Sequence, residues 1–520
     1  MVMVFSESTY NPTFSQINPH SLFRILVYSS AFYFFSFVTA DTDLWGHIKF
    51  GDDLWASKTL HRFDIYSYTA YGREWINHEW LSELLMYFTY TIAGSPGLLL
   101  GKLLIGFAIV YVLSRMSFNR TYNPLIYGLI FVLLTSVLSP GFMIRPQLFT
   151  YLFTSLFLYV FHLYLERRKN LLWSLPLIMI LWVNCHGGFL VGIGMFFVVL
   201  ICEVISYNLK TKREAQYLYN LILWFILTSL AILINPYSYG LLVFLYETLS
   251  VPRSISEWYP VGIFDLSYLR LKVLALLFLL TIPFGRNKKR YWEVAIIVTA
   301  LLYAFKHQRH TPLFAIVIGP YLTENLSMML KYRNLPDKLK LSPPSYLLIN
   351  IFLVFLIGYQ LFYAVDRYIK AKFNIIVNPR EYPVYAVNFL RENKIKGNIL
   401  LPFEWGEYVI WKLYPDCKVS IDGRFRTVYP QEVIDDHFKV GNDRSGWERL
   451  INKYSTNIIL ARQSLFFHQL ISSQSEWVYI YSDPLSIIFI KNEDSQKGIL
   501  EKLKRKELRY PHAPLSIYFP

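Results

Sequence analysis

The sequence has little cysteine, little charge and no glycine-rich phosphate loop. Its three cysteines, Cys185, Cys202 and Cys417, are too few and too scattered for a disulfide framework or a metal-binding knuckle. Charged residues make up 17% of the chain, below the roughly 25% that is usual in soluble domains. No P-loop and no dinucleotide-binding fingerprint occurs. The sequence therefore gives no sign of a disulfide scaffold, a zinc module or a nucleotide-dependent soluble enzyme.

Apolar sequence is abundant instead. Hydrophobic residues make up 54% of the 520 residues and the mean hydropathy is +0.32, whereas soluble domains are about 45–50% apolar. Aromatic residues reach 18%, and tyrosine and tryptophan suit the membrane headgroup region. The composition indicates a polytopic membrane protein. In such a protein the basic residues behind the net charge of +15 report on orientation rather than on nucleic-acid binding.

Apolar runs long enough to cross a ~30 Å hydrocarbon core recur up to about residue 366. They predict roughly eleven transmembrane helices, at about 22–40, 97–114, 124–139, 147–164, 171–184, 188–206, 218–235, 271–284, 291–306, 311–329 and 345–366. The segment from Glu79 to Gly94 is short and carries two glutamates, so it is predicted to lie flat in the outer interface as a helix.

Basic residues cluster in alternate connections between these spans. The clusters are Arg115 with Arg120, Arg167 to Lys169, Lys210 with Lys212 and Arg213, Arg286 to Arg290, and Lys331 to Lys340. Short cytoplasmic loops carry an excess of lysine and arginine. The pattern therefore predicts a cytoplasmic N-terminus, with the first span as an uncleaved signal anchor in the cell (inner) membrane. It places the loop 41–78 and everything after about residue 366 outside the cytoplasm.

After Asp366 the composition changes to that of a soluble domain. Helical patterns at about 383–393, 430–439, 447–454 and 463–471 alternate with short apolar strands at about 398–402, 418–421, 457–461, 477–481 and 485–491. This alternation predicts an extracytoplasmic α/β domain over residues 367–491 with a partly parallel sheet. A basic tail, residues 492–520, is predicted to follow as a solvated or headgroup-facing helix.

Six segments carry a resemblance to a known superfamily. In order they read DTDLWGH after the first span, NHEW, IRPQLFTYL, WVNCHGGF, INPYSYG with SEWYP, and GEYVIWKLYP with DCKVSIDGR. Together they resemble the polytopic bacterial glycosyltransferases of the GT-C type, from roughly Asp41 to Lys491. The resemblance implies a GT-C-like helical membrane domain over residues 1–366, a polyprenyl-phosphate or polyprenyl-diphosphate sugar as donor, and an acceptor that enters from the outer aqueous side.

The resemblance also implies a catalytic acid on the first outer loop, and Asp41 and Asp43 match that position. In this interpretation one carboxylate removes the acceptor proton as the acceptor attacks the anomeric carbon, while the other orients it or binds a cation. Branches of the superfamily differ in which acid acts, so both residues stay candidates. Two solvated acids at the end of a helix are the simpler alternative.

Cationic side chains lie at the outer ends of several spans. Arg145, Lys306, His307 and Arg309, with His310 beside them, are predicted to hold the donor phosphate as the sugar departs. Each of them taken alone would also suit a side chain that anchors a helix end at the membrane surface.

Further polar residues on the same face are predicted to bind substrate: His47, His78, Glu79, His186, Glu257 and Trp258. His186 is followed by two glycines that open the backbone, and a tryptophan beside a carboxylate suits a sugar. The imidazoles of His47, His61 and His78 with nearby carboxylates are usable metal ligands, but their spacing matches no tight motif. A divalent cation, Mg²⁺ or Mn²⁺, therefore stays an open alternative.

In the outer domain, Asp422 and Arg424 are predicted to form a turn pair or salt bridge. Glu404, Trp405 and Glu407 lie at strand ends, and facing the acceptor is the alternative for all five residues. None of these assignments follows from a ligand motif, so each rests on position in the predicted topology.

These patterns favour an inverting glycosyltransferase that uses a lipid-linked sugar, with membrane lipid and a glycan, lipid or protein acceptor as partners and no nucleic acid. A transporter or lipid flippase is the first alternative, and it would need charges deep in the membrane. Within the spans, Lys102, His162, Glu203 and Glu293 are the isolated candidates, mostly near the span ends. A non-catalytic envelope-assembly protein is the second alternative.

Overall fold

The protein is a helical body followed by a small sheet domain. The computed structural model describes residues 19–520 except 119, 121, 207–211, 250, 252–254, 285–289, 333–342, 440–443, 464–474 and 512–516. The helices of the first part are α1 (Pro19–Phe35), α2 (Leu44–Ser57), α3 (Trp80–Phe118), α4 (Pro124–Leu138), α5 (Gln147–Leu165), α6 (Ser174–Cys185), α7 (Phe189–Ser206), α8 (Lys212–Ala231), α9 (Gly240–Leu249), α10 (Leu269–Thr281), α11 (Tyr291–Lys306), α12 (Thr311–Tyr332) and α13 (Pro343–Lys370).

A helix occupies each of the predicted transmembrane segments. Six helical stretches are long and apolar enough to cross a membrane, and they are Trp80–Phe118, Pro124–Gly141, Gln147–Leu165, Phe189–Ser206, Gln308–Lys331 and Leu347–Lys370. Shorter apolar helices include Ser21–Phe35, Ser174–Cys185 and Ala215–Ala231. The helical membrane fold is therefore as predicted, while the count of eleven spans stays a prediction.

Two details of the helical part differ from a simple series of spans. Helix α3 contains a break at Gly94, whose φ of 60° and ψ of −154° are not helical. The break separates Trp80–Ala93 from the apolar run that follows, so the backbone permits the first part to lie at an angle to the second. Helix α9 falls within the predicted outer loop between residues 237 and 270, where the sequence analysis predicted no helix.

The C-terminal part contains α14 (Val384–Glu392), α15 (Gly406–Leu413), α16 (Gln431–Lys439), α17 (Arg444–Lys453) and α18 (Lys497–Lys504). Its strands are β1 (Gly397–Leu400), β2 (Cys417–Val419), β3 (Ile458–Arg462), β4 (Trp477–Ser482) and β5 (Ser486–Lys491). The sheet order is β2-β1-β3-β5-β4, with β1 parallel to β2 and β3, and β5 antiparallel to β3 and β4. The predicted partly parallel sheet is confirmed. Helix α15 was not predicted, and the helix expected at about 463–471 falls almost wholly outside the described residues.

The sheet domain is joined to the first loop by backbone hydrogen bonds. Tyr68 N–H donates to the Val419 carbonyl at 3.1 Å, and Val419 N–H donates to the Tyr66 carbonyl at 3.1 Å, so the loop extends the sheet beyond β2. Ile376 N–H likewise donates to the Val38 carbonyl at 2.7 Å. The first loop and the C-terminal domain therefore share one hydrogen-bonded framework.

Side chains reinforce this junction. The Trp45 side chain is fully buried and packs edge-on against Tyr382 and Tyr408 of the C-terminal domain. Phe519, near the end of the predicted basic tail, is 4% exposed and lies 5.5 Å from Trp45 between ring centroids. The tail thus forms the expected short helix, α18, and then returns to the core.

Candidate functional site

The backbone that leads into the first loop is fixed on both sides. After α1, Ala40 N–H donates to the Ile376 carbonyl at 2.8 Å, and Lys102 of α3 donates its ammonium to the Phe37 carbonyl. Asp41 and Asp43 follow at once, with Asp43 directly preceding α2. The position of these two acids is therefore set by α3 and by the C-terminal domain, not by a free loop.

Arg145 gathers three carboxylates. Its Nε lies 2.5 Å from Asp41 Oδ1, and its Nη1 lies 3.4 Å from Asp43 Oδ2 and 3.0 Å from Glu257 Oε1. Asp41, Asp43, Glu257 and Arg145 are called the first-loop cluster below. With three carboxylates ionised against one guanidinium, this cluster carries a formal charge of −2. Phosphate binding at Arg145 would therefore require one of these carboxylates to be displaced or neutralised.

The two aspartates are not equivalent. Asp41 is 6% exposed, and its Oδ1 accepts from Arg145 and from the backbone N–H of Asp43 at 3.1 Å. Burial raises the pKa of Asp41, and the Arg145 guanidinium opposes that rise. The Asp43 side chain is 25% exposed, and its contact with Arg145 is longer. Asp43 is therefore the more accessible acid, while Asp41 mainly holds Arg145.

A second polar group surrounds Glu79. The Nε2 atoms of His78 and His186 lie 3.7 Å and 3.6 Å from Glu79 Oε1. Burial opposes ionisation of Glu79, but neighbouring cationic groups, among them His78, His47 and Arg309, outweigh it and lower the pKa of this carboxyl. The predicted substrate residues His47, His78, Glu79 and His186 are thus brought into one neighbourhood.

His47 approaches a residue that the sequence analysis did not select. Its Nδ1 lies 3.5 Å from Glu83 Oε1, and the other Glu83 oxygen accepts from the Asn77 amide at 2.6 Å. Burial lowers the pKa of His47, but the Glu83 hydrogen bond and nearby acids outweigh it, so the net shift is upward. Glu83 lies one turn after Glu79 on the same helical face, and that spacing was the signal that could have identified it.

The hydrogen bonds of His186 define its tautomer. Gly188 N–H donates to His186 Nδ1 at 3.0 Å, and Thr150 Oγ1, which accepts from Trp182 Nε1 at 2.9 Å, lies 2.8 Å from the same atom. Because Nδ1 accepts, the proton lies on Nε2, which faces Glu79. Burial lowers the pKa of His186 to about 3. A Cβ on Gly188 would lie 2.3 Å from Thr150 Oγ1, so this turn requires glycine.

The predicted phosphate ligands on the connection after α11 lie beside Trp258. Arg309 Cζ lies 4.7 Å from the Trp258 ring centroid, and His307 Nδ1 lies 2.7 Å from the Trp258 carbonyl oxygen. Lys306 is exposed at the end of α11. The charge of Arg309 also acts on Glu79, where it helps to lower the pKa of that carboxyl.

Two acids of the C-terminal domain take different roles. Arg424 pairs with Asp422 at 2.6 Å and with Asp64 of the first loop at 2.7 Å, and all three side chains are buried, which agrees with the predicted salt bridge. Glu407 is 3% exposed and accepts from Gly46 N–H of α2 at 3.1 Å. The sequence placed Glu407 at a strand end without assigning it a contact, because nothing local indicates that α15 faces α2.

The metal alternative is not matched by the donor set that the structure brings together. Asp41, Asp43 and Glu257 converge on a guanidinium, which occupies the centre that a cation would need. Within the described ranges, no three or more His, Cys, Asp or Glu side chains are arranged to hold a metal ion.

No protein-family model and no curated protein matches this chain. Among solved structures, the Archaeoglobus fulgidus oligosaccharyltransferase in the apo form matches with a TM-score of 0.59 and 12% identity, over 93% of this chain and 76% of that one. The same organism's AglB, solved with an inhibitory peptide and a dolichol-phosphate, matches with a TM-score of 0.56 and 11% identity, over 91% and 74%. Arabinofuranosyltransferase AftD from Mycobacteria matches with a TM-score of 0.51 and 11% identity, over 92% and 40%.

At such low identities the likeness shows the fold. The chain has the fold of GT-C glycosyltransferases, as its resemblance to that superfamily predicted.

Proposed function

We propose that this protein is a membrane glycosyltransferase that transfers a hexose or pentose from a polyprenyl-phosphate donor to an acceptor on the outer face of the membrane, with inversion. The observation that supports this most is the first-loop cluster, where two carboxylates follow the first helix of a GT-C fold and a half-buried arginine contacts both. Two structures with this fold are a complex with a dolichol-phosphate and an arabinofuranosyltransferase, which fits a lipid-linked sugar as donor.

In the proposed reaction, Asp43 is the general base. It accepts the proton of the acceptor group as that group attacks the anomeric carbon, a bond forms between acceptor and sugar, and the bond from the sugar to the lipid phosphate breaks. The phosphate leaves with the electron pair. Asp41 holds Arg145, and Arg145 in turn orients Asp43 and Glu257.

The leaving phosphate needs cationic donors nearby. Arg309, His307 and Lys306 supply them in this proposal, since Arg145 is already surrounded by carboxylates. Trp258, with Arg309 over its ring, would contact the sugar, while His47, His78, Glu79 and His186 would line the acceptor side.

The test uses the full chain in lipid nanodiscs with undecaprenyl phosphate carrying a hexose or a pentose, and host membranes as the acceptor source. We expect release of undecaprenyl phosphate and loss of the sugar-linked lipid, and neither with the Asp41→Asn/Asp43→Asn double variant. Equal donor consumption by the double variant would contradict the proposal. Movement of intact donor lipid between vesicle leaflets, without cleavage, would instead support the flippase alternative.

Orientation belongs to the same proposal, with a cytoplasmic N-terminus and the sheet domain outside. Cysteines replacing exposed Ser482 of the sheet domain and exposed Lys169 after α5 form a matched pair. In intact cells an impermeant thiol reagent should label the first and leave the second unlabelled. The reverse pattern would invert the topology.

A further inference from the structure

Two glycines leave room for the carboxyl group of Glu407. A Cβ on Gly46 would lie 2.2 Å from Glu407 Oε2, and a Cβ on Gly423 would lie 2.5 Å from Glu407 Oε1 and 2.7 Å from Asp43 Oδ1. No side chain larger than hydrogen fits at either position without movement of Glu407. Glycine on both sides, one in α2 and one after β2, therefore allows this carboxyl to reach the start of α2.

The two oxygens of Glu407 face different partners. Oε2 accepts from Gly46 N–H, one of the first-turn amides of α2 that have no partner inside the helix. Oε1 and Asp43 Oδ1 both approach the same side of Gly423, since a Cβ there would lie 2.5 Å from the first and 2.7 Å from the second. Two carboxylate oxygens cannot satisfy each other unless a proton lies between them. Since Oε2 already accepts from Gly46 N–H, Oε1 is the oxygen available to carry such a proton.

The surrounding charges favour the neutral acid. Burial is the largest cause, and the charges of Asp43, Asp422 and Glu83 act with it to raise the pKa of Glu407 well above its usual value, whereas Arg424 opposes the rise. His47 lies on α2 one residue beyond Gly46 and is engaged by Glu83.

We propose that Glu407 is a positioning residue of the C-terminal domain that holds Asp43 through a hydrogen bond donated by its neutral carboxyl group. The inference rests on the proposed function, because it gives Asp43 a reaction to serve. Asp43 is then held from three sides, since Thr42 Oγ1 lies 3.2 Å from Oδ1 and Arg145 lies 3.4 Å from Oδ2. Transfer would accordingly depend on the docked C-terminal domain, although that domain supplies no group to the bond changes.

Substitutions at Glu407 test the hydrogen bond. Glu407→Gln keeps one donor and one acceptor, so its kcat should stay within about threefold of the parent, whereas Glu407→Leu should lose about 10- to 100-fold in kcat with KM for the lipid-linked sugar unchanged. Glu392→Gln is the matched control, because Glu392 is an exposed carboxylate at the end of α14 in the same domain. Parental kcat in Glu407→Leu, or equal loss in Glu407→Gln and Glu407→Leu, would overturn the inference.

The glycine contact gives a second steric test. Gly423→Ala should separate Glu407 from Asp43 and lower kcat as Glu407→Leu does, while Gly498→Ala, where a Cβ meets nothing within 4 Å, should have no effect. Size-exclusion profiles and melting temperatures identify any variant that fails to fold. If Glu407→Leu or Gly423→Ala does not fold, the kcat of Glu407→Gln tests the inference, and a loss well beyond threefold would contradict it.

An infrared measurement separates this inference from the proposed function. At pH 7 the parent-minus-Glu407→Gln difference spectrum should contain the C=O stretch of a protonated carboxyl group, which shifts in D₂O, and the Glu392→Gln difference should lack it. An absent band overturns the neutral acid. If the band is present but the protein transfers no sugar, Glu407 is protonated as inferred, and the proposed glycosyltransferase function is contradicted.

Discussion

Two charged clusters lie at opposite ends of α5 and differ in what remains accessible. Arg145 of the first-loop cluster precedes the helix, and Glu166 of the other follows it, about 28 Å away for 19 residues. The second group, called the distal ionic cluster, contains Arg120, Glu166, Arg290, Glu293 and Glu324. It was not predicted as a unit, because its members come from three separate connections and two helices.

The distal cluster satisfies its charges internally. Arg120 Nη1 lies 2.6 Å from Glu293 Oε1, Arg290 Nη2 lies 2.6 Å from Glu324 Oε2, and the Arg120 side chain is 2% exposed. At the helix end, burial opposes ionisation of Glu166, but His162, Arg120 and Arg290 lower its pKa to about 2. In the first-loop cluster, by contrast, Asp43 and Glu257 keep 25% and 42% of their side chains exposed. The distal cluster fastens helices, whereas the first-loop cluster keeps accessible carboxylates, as its proposed role in binding and reaction requires.

The largest contrast should appear in catalysis. Asp43→Asn cannot accept a proton, so kcat should fall by about 10²–10⁴-fold with a nearly unchanged melting temperature. Asp41→Asn should lose less activity, because its main contact is with Arg145. Donor turnover under single-turnover conditions measures both, and parental turnover by Asp43→Asn would remove its role as base.

The reverse pattern is expected at the distal cluster. Arg120→Met leaves buried carboxylates without their cation and should destabilise the protein by about 3–5 kcal/mol. Turnover per folded molecule should stay at the parental level. Thermal unfolding in detergent, with activity normalised to folded protein, separates the two effects. A loss of specific activity without destabilisation would contradict this prediction, because the distal cluster would then act in catalysis and not in stability.

The affinity for the donor should fall when Arg309 is replaced, but not when an arginine at the other end of α5 is replaced. Loss of a charge-assisted hydrogen bond to phosphate costs about 1.5–3 kcal/mol, so Arg309→Ala should bind undecaprenyl phosphate at least about tenfold more weakly. Arg167→Ala, an exposed arginine just after α5, is the control. Equal affinities in both variants and the parent would exclude Arg309 as the phosphate ligand.

The last effect concerns stability in acid. His186 is neutral when folded down to about pH 3, whereas an unfolded histidine takes a proton near pH 6.5, so stability should fall as pH drops from about 6.5 towards 3. Glu166 has a lowered pKa of about 2, so its stabilisation persists above pH 4.5. At pH 5 the neutral His186 therefore lowers the free energy of unfolding by about 2 kcal/mol relative to pH values above 6.5. Melting curves of His186→Asn should therefore depend less on pH between 6.5 and 5, and an identical slope would contradict this.

The sequence by itself determined the membrane helices and the alternating elements of the sheet domain. Both depend on local periodicity, which the apolar runs and the short strands such as Ile458–Arg462 carry in full. It also indicated Asp41 and Asp43, since two acids directly after a span are visible without a fold. Helices α9 and α15 escaped prediction because they are short and their packing lies with distant partners.

Only the tertiary structure decided which side chains meet. Arg145 and Asp41 are 104 residues apart, and Gly46 and Glu407 are 361 residues apart. No local pattern encodes such pairs, because they depend on how α5 and α15 pack against the first loop. The same packing distinguishes buried Asp41 from accessible Asp43, two residues that the sequence left equivalent. Burial and charge neutralisation are properties of the assembled neighbours, so they appear only once the chain has folded.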